Sequence, residues 1–171
     1  MNEFVAAIVA FARDHGLWGL VVAMVIENLV QFVPSLLLLP LAGYGASQGL
    51  YSLPLALLAT LAGSLLGCLI WYALGRWFNA TLLVAWVSRP RPWLGLTTAQ
   101  LERSRRWFRA HDRQIVCWGR LVPVLRTNVS LPAGLELMPL GRFLLYSLIG
   151  SALWNSTFVL LGFWLGRPTL F

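Results

Sequence analysis

One stretch of this sequence restricts the fold more than any other. The 24 residues from Pro54 to Trp77 contain a single charge, Arg76, close to their end. A helix of about 20 apolar residues is long enough to cross the roughly 30 Å hydrocarbon core of a bilayer. A second such run extends from Phe143 to Gly166. Because 58% of the 171 residues are hydrophobic and 11% are charged, lipid suits this surface better than water does. The sequence predicts an all-α integral membrane protein.

The basic residues indicate the kind of partner. All thirteen are Arg, and six acids leave a net charge of +7. The planar guanidinium group binds phosphate through two parallel hydrogen bonds, so this composition favours anionic lipids. A sequence pI near 10.7 also suits nucleic acid, but no nucleic-acid-binding module is visible, and we expect no such partner.

Two further apolar blocks are interrupted by proline and polar residues. They extend from Leu17 to Gly49 and from Ile115 to Met138. Broken backbone at membrane depth is tolerated only inside protein or beside a water-filled cavity. We therefore predict two re-entrant helical hairpins. The first should consist of a helix to about Val30, an irregular tip, and a short helix to about Ala46.

The order of these elements predicts two inverted halves within one membrane domain, residues 1–171. Each half, about 1–78 and 97–167, would contain an interfacial helix, a re-entrant hairpin and one span, an arrangement typical of transporters. The interfacial helices are predicted at Phe4–Ala12 and Leu101–Arg113. The connection 78–114 carries seven Arg and two acids, which indicates that it is cytoplasmic.

Four charged residues lie inside the interrupted blocks: Glu27, Arg120, Arg126 and, close to the end of the second block, Glu136. A charge at the centre of a membrane helix costs roughly 2.5–3.5 kcal/mol. Pro123 lies between the two Arg, and a broken hairpin tip would let both converge on a phosphate group. Asn128, Ser130 and backbone N–H groups would complete the site. A purely structural ion pair is the alternative.

Two of the acids, Glu27 and Glu136, have two interpretations each. Glu27 is either a fixed counter-ion for one Arg or a site whose proton occupancy changes during transport. Glu136 is a second candidate for proton coupling, or an interfacial residue. His15 and His111 flank interfacial segments and are interpreted as surface residues, while Cys68 and Cys117 are interpreted as buried thiols. No metal site and no cofactor are expected.

Several motifs resemble those of the DedA family, whose members contain the VTT domain. The most specific is Gly119-Arg-Leu-Val-Pro-Val-Leu-Arg-Thr127, followed by Ser130-Leu-Pro-Ala-Gly134. Glu27-Asn28, Pro34-Ser35 and Leu39-Pro-Leu-Ala-Gly43 are similar to the first signature of the family.

The resemblance implies facing re-entrant hairpins and a role in lipid transport. Bacterial relatives are associated with recycling undecaprenyl phosphate, and eukaryotic relatives scramble phospholipids. The family's membrane-embedded acid corresponds to Glu27, and its two arginines correspond to Arg120 and Arg126. The candidate substrate-binding residues are therefore Arg120, Arg126, Glu27, Asn28, Ser35, Thr127, Asn128 and Ser130.

The sequence departs from the family at the first hairpin. Many members carry a second acid directly after the Pro-Ser or Pro-Gly pair, and here that position is Leu36. Gln31 and Phe32 replace the prolines that usually precede it. The resemblance therefore leaves coupling to protons open, while ligand binding by the two arginines is unaffected.

The leading hypothesis is a flippase that recycles undecaprenyl phosphate across the cytoplasmic (inner) membrane, and thus not an enzyme. The sequence leaves open whether a proton or a sodium ion is coupled to transport and whether the chain forms a homo-oligomer. Three alternatives remain: a passive phospholipid scramblase, a membrane enzyme acting on lipid phosphates, and an assembly factor for envelope integrity.

Overall fold

The computed structural model describes residues 11, 14–29, 35–87, 98–122 and 125–167. These residues form helices and their connections, and no strand occurs among them. In chain order the helices are α1 (Gly16–Leu29), α2 (Ser35–Ser47), α3 (Leu53–Val87), α4 (Thr98–Gly119), α5 (Leu125–Asn128), α6 (Ser130–Leu135) and α7 (Leu140–Leu165).

Within the described part of the chain, two helices are long and apolar enough to cross a membrane, as the sequence predicted. They are Leu53–Phe78 within α3 and the whole of α7, each of 26 residues. At 1.5 Å per residue, each is about 39 Å long. The span ends within one residue of the predicted Trp77, but the helix that contains it continues to Val87. No Pro or Gly occurs between Phe78 and Val87, so nothing in the sequence stops the helix there.

The first predicted hairpin corresponds to α1 and α2. These helices have 14 and 13 residues, or about 21 and 20 Å, so neither crosses about 30 Å of hydrocarbon alone. Leu20 and Met24 of α1 share a hydrophobic core with Leu38 and Leu39 of α2. The tip, residues 30–34, lies outside the described residues. The re-entrant path therefore stays a prediction.

The region of the second predicted hairpin contains helices that are shorter than α1 and α2, namely α5 and α6. The amphipathic helix α4 is kinked at His111 and ends at Gly119, where a turn precedes α5 and α6. Residues 123–124 lie outside the described residues, as does almost all of the predicted interfacial helix at Phe4–Ala12.

The chain divides into two compact units. The first unit is Met1–Cys68 with Leu148–Phe171, and the second unit is Leu69–Ser147. Helices α3 and α7 are each divided between the units, at Cys68/Leu69 and at Ser147/Leu148. The two inverted halves predicted at about 1–78 and 97–167 stay a prediction.

Glycine allows backbone contact between helices in the first unit. A Cβ on Gly43 of α2 would overlap the Val159 carbonyl of α7, and a Cβ on Gly162 would overlap the Pro40 carbonyl. Helix α3 also packs closely against α1, because a Cβ on Gly63 would lie 2.6 Å from the Val21 carbonyl oxygen. Such contacts draw membrane helices together where apolar attraction is weak.

The second unit uses the same type of contact. A Cβ on Gly134 of α6 would overlap the Tyr72 carbonyl of α3, and a Cβ on Gly75 of α3 would overlap the Leu131 carbonyl. In both units, therefore, a short helix is held against a long apolar helix by a reciprocal pair of glycines.

Candidate functional site

Arg120 lies directly after α4 and is 1% exposed. Its Nη2 donates hydrogen bonds to Ser130 Oγ at 3.2 Å and to Ser147 Oγ at 2.8 Å. Both serines are fully buried. Because the two acceptors belong to different helices, α6 and α7, they determine where the guanidinium group points.

An aromatic stack covers this guanidinium group. The Cζ atom of Arg120 lies 5.7 Å from the centroid of the Phe143 ring, within the range of a cation–π contact. Tyr72 stacks on Phe143, with 4.5 Å between ring centroids. The Tyr72 hydroxyl donates to the Met138 carbonyl and accepts from Arg76 Nη1. Arg120 is thus enclosed by hydroxyl groups and aromatic rings.

Arg126 is the second buried cation of the second unit. It lies in the short helix α5 and is 2% exposed. Its backbone N–H donates to the Val122 carbonyl at 3.0 Å. Two guanidinium groups are therefore buried within one compact unit of 79 residues, Leu69–Ser147.

The first unit contains a buried chain of an acid, an amide and a thiol. Asn28 Nδ2 donates to Glu27 Oε2 at 3.0 Å and to the Met24 carbonyl at 2.9 Å. Asn28 Oδ1 accepts from the Cys68 thiol, with 3.6 Å between the heavy atoms. Glu27 and Asn28 are 4% and 1% exposed. The amide therefore orients the carboxylate and connects α1 to α3.

A second buried polar contact joins the two long helices within the first unit. Asn155 Nδ2 of α7 donates to Ser64 Oγ of α3 at 3.1 Å. Thr60, one turn from Ser64, turns its hydroxyl back to the Ala56 carbonyl at 2.9 Å. All three side chains are buried, so polar groups replace part of the apolar packing between the spans.

The structure brings together some of the predicted site residues. Ser130 contacts Arg120 and Asn28 contacts Glu27. Glu136 Oε2 lies 3.4 Å from Arg109 Nε. Glu27 belongs to the first unit, and Arg120 and Arg126 belong to the second. The side chains of Ser35, Thr127 and Asn128 lie outside the described part of the structure.

Phe143, Ser147 and Asn155 were not among the predicted site residues, although α7 carries a signal for them. Buried residues recur every four positions along this apolar helix, at Phe143, Ser147, Ser151, Asn155 and Val159. Helix α3 shows the same spacing at Ala56, Thr60, Ser64, Cys68 and Tyr72. Residues four apart are neighbours on a helix surface, so polar groups at this spacing in a membrane span indicate a face turned toward protein.

The two histidines are exposed, as predicted. The His15 ring stacks on Phe11, and His111 Nδ1 lies 3.2 Å from the Trp107 carbonyl oxygen. Among the described residues, no cluster of three or more His, Cys, Asp or Glu side chains has a spacing that suits a metal ion.

The fold and the buried charges define a class. Two apolar helices long enough to cross a membrane carry polar faces, and ionisable side chains are buried beside them. This combination is that of a helical membrane protein with an internal polar site. Residues 33–164 match the model of the VTT domain. The chain belongs to the family that this domain defines, the DedA family.

Curated relatives cover most of the chain. Undecaprenyl phosphate transporter A of Staphylococcus aureus is 33% identical over 156 residues, which are 91% of this chain and 76% of the relative. The protein of the same name in Bacillus subtilis is 26% identical over 166 residues, 97% of this chain and 80% of the relative.

Another relative has a different type of name. A protein of Lactococcus lactis subsp. lactis named alkaline phosphatase-like protein is 29% identical over 160 residues, 93% of this chain and 75% of the relative. The family therefore contains members named as transporters and members named after an enzyme. No solved structure matches the chain.

Proposed function

We propose that this chain carries a lipid phosphate between the two leaflets of its membrane, with undecaprenyl phosphate as the leading substrate. The observation that carries the proposal is the burial of Arg120 and Arg126 in one compact unit. Insertion of a single charge at the centre of a membrane helix costs roughly 2.5–3.5 kcal/mol. Ionisable residues at such positions indicate a functional site, and two arginines in one unit favour an anionic ligand.

A phosphate group suits this environment. Ser130 and Ser147 hold the guanidinium of Arg120 in one orientation. A guanidinium oriented in advance loses little entropy when it binds a phosphate through paired hydrogen bonds. Neutralising the head group in this way lowers the cost of moving it through hydrocarbon, while the lipid tail stays in the bilayer.

The names of the relatives support the choice of substrate. Two of them are named undecaprenyl phosphate transporter A. In this proposal the chain lies in the bacterial inner membrane with the connection 78–114 on the cytoplasmic side, and α1–α2 and the 115–138 segment form facing re-entrant hairpins.

The test is transbilayer movement of undecaprenyl phosphate in proteoliposomes that contain the purified chain. Arg126→Ala should abolish movement, because it removes one of the two phosphate-binding cations. Arg103→Ala is the matched control, because it removes an exposed Arg of α4, and it should leave movement within about twofold of wild type. Folding of each variant is checked by helicity and by size-exclusion chromatography.

Two outcomes count against the proposal. If folded wild-type protein moves no undecaprenyl phosphate under any gradient, the substrate is a different one. If folded Arg126→Ala protein moves the lipid as fast as wild type, the arginine does not bind the head group, and a structural or assembly role for the family fold becomes the better explanation.

Glu27→Gln tests whether movement is coupled to an ion. Glutamine keeps an oxygen that can accept the hydrogen bond from Asn28 Nδ2 but cannot carry a transported proton. If Glu27 is the coupling site, a pH gradient accelerates wild type and leaves the variant at its rate without a gradient. If neither protein responds to a proton or a sodium gradient, the chain is a passive scramblase. The presence of Leu36, where many family members carry a second acid, favours this outcome.

A phosphatase is the second candidate, and the name of the Lactococcus lactis relative favours it. The same proteoliposomes distinguish the two functions, because a phosphatase releases inorganic phosphate and a transporter leaves the lipid unchanged. Release of phosphate that tracks the amount of wild-type protein would replace the transport proposal.

A further inference from the structure

A polar pocket lies beside exposed residues of α4, and neither of the buried arginines lines it. Its volume is about 290 Å³, close to the lower end of the range of roughly 300–1,000 Å³ for small-molecule sites. Three arginines line it: Arg109 and Arg113 from α4, and Arg142 from the first turn of α7. The pocket therefore joins two helices that are separate in sequence.

The kink of α4 shapes this pocket. His111 has φ −125° and ψ 19°, outside helical values. On one side of the kink the His111 ring lies against the Trp107 carbonyl, with Nδ1 at 3.2 Å. On the other side Asp112 Oδ1 accepts a hydrogen bond from the Arg113 N–H at 2.7 Å. Side chains thus satisfy backbone groups at the break, as helix caps do, and stabilise the bend.

The pocket is positively charged even after its acids are counted. Asp112 is the carboxylate among its lining residues, and Glu136 lies 3.4 Å from Arg109 Nε. Three guanidinium groups against these two carboxylates leave an excess of one positive charge (3 − 2 = +1). Three planar donor groups around one small cavity match the oxygens of a phosphate group.

The position of α4 favours a lipid as the source of that phosphate. Trp107 and Trp118, on the same helix, are 61% and 63% exposed. Exposed Trp side chains of membrane proteins lie at the level of the lipid head groups. An amphipathic helix at this depth meets lipid phosphates at high local concentration.

We propose that Arg109, Arg113 and Arg142 form a binding site for the phosphate group of an anionic phospholipid. The site anchors α4 and the start of α7 to the membrane surface. It is distinct from the proposed transport site, because its arginines are exposed and Arg120 and Arg126 are buried.

The experiment is native mass spectrometry of the full chain in detergent, titrated with phosphatidylglycerol, phosphatidylcholine or inorganic phosphate. Wild type should retain phosphatidylglycerol more tightly than phosphatidylcholine. The double variant Arg113→Gln/Arg142→Gln should lower the affinity for phosphatidylglycerol about tenfold or more, since each lost contact involves a charged donor. Arg113→Lys keeps the charge without the planar fork and should cause a smaller loss.

Two control variants isolate the site. Arg103→Gln removes an exposed charge from the same helix outside the pocket and should leave the affinity within about twofold. Arg167→Gln removes an exposed charge after the end of α7, outside the pocket, and should also leave it unchanged. The transport assay with Arg126→Ala is a separate measurement, so failure of this proposal is distinguishable from failure of the transport proposal.

Three results would overturn the proposal. The first is unchanged phosphatidylglycerol binding by the folded double variant. The second is an equal loss with Arg103→Gln, which would indicate general charge attraction. The third is displacement of the lipid by inorganic phosphate at equal concentration, which would make the pocket a site for free phosphate.

Discussion

The two compact units share a type of packing and differ in chemistry. In the first unit Gly43 and Gly162 bring α2 against α7, and in the second Gly75 and Gly134 bring α6 against α3. The buried polar groups of the first unit are an acid, amides, hydroxyls and a thiol, whereas two arginines dominate the second. Backbone contact through glycine therefore supports interiors with different polar side chains, because the packing does not depend on those side chains.

The largest expected effect comes from breaking the shared packing. Gly162→Ala and Gly134→Ala each add a methyl group that overlaps a backbone carbonyl, so each should lower the free energy of unfolding by about 3 kcal/mol. Gly141→Ala is the control: it lies in α7 with no atom within 4 Å of a new Cβ, and it should raise stability by about 0.5–1 kcal/mol.

Unfolding of the three alanine variants in mixed micelles of detergent and dodecyl sulfate measures these values. If Gly134→Ala is as stable as Gly141→Ala, the glycine contact of the second unit is not required, and the comparison between the units fails.

A second prediction sharpens the chemical difference. Ser147→Ala removes an acceptor of a charged donor, Arg120 Nη2, and should cost about 1.5–3 kcal/mol of unfolding free energy. Ser64→Ala in the first unit removes the neutral partner of Asn155 and should cost only about 0.6 kcal/mol.

A double-mutant cycle with Asn155→Ala isolates the Ser64 contact. Equal costs for Ser147→Ala and Ser64→Ala would mean that the charge of Arg120 adds nothing to its hydrogen bond, and the two interiors would then be energetically alike.

The smallest expected effect concerns two cations that lie over aromatic rings. Exposed Arg167 of the first unit lies 4.6 Å from the Phe163 ring centroid, and buried Arg120 of the second lies 5.7 Å from that of Phe143. Because water screens the exposed pair, Arg167→Gln should cost about 0.5 kcal/mol. If Arg167→Gln lowers the free energy of unfolding by more than Ser147→Ala does, the exposed contact contributes more than the buried one, and the order expected from burial is wrong.

Much of the architecture could be predicted because hydropathy and helical spacing are local. The runs from Pro54 and from Phe143 predict the two long apolar helices, and the proline-interrupted block predicts α1 and α2 close to their observed ends. The continuation of α3 to Val87 was missed, because Arg76 and Trp77 indicate the interfacial end of a span, while no Pro or Gly ends the helix before residue 88.

The sequence by itself determined which residues are candidates for function: Glu27, Arg120 and Arg126 stand out because charge in an apolar segment is costly wherever it lies. Only the tertiary structure decided what surrounds them. Ser147 contacts Arg120 across 27 positions of the chain, and the Phe143 ring covers the same guanidinium group. Hydropathy depends on neighbours in sequence, whereas the orientation of a buried charge depends on which helices pack around it, and that information exists only after the chain has folded.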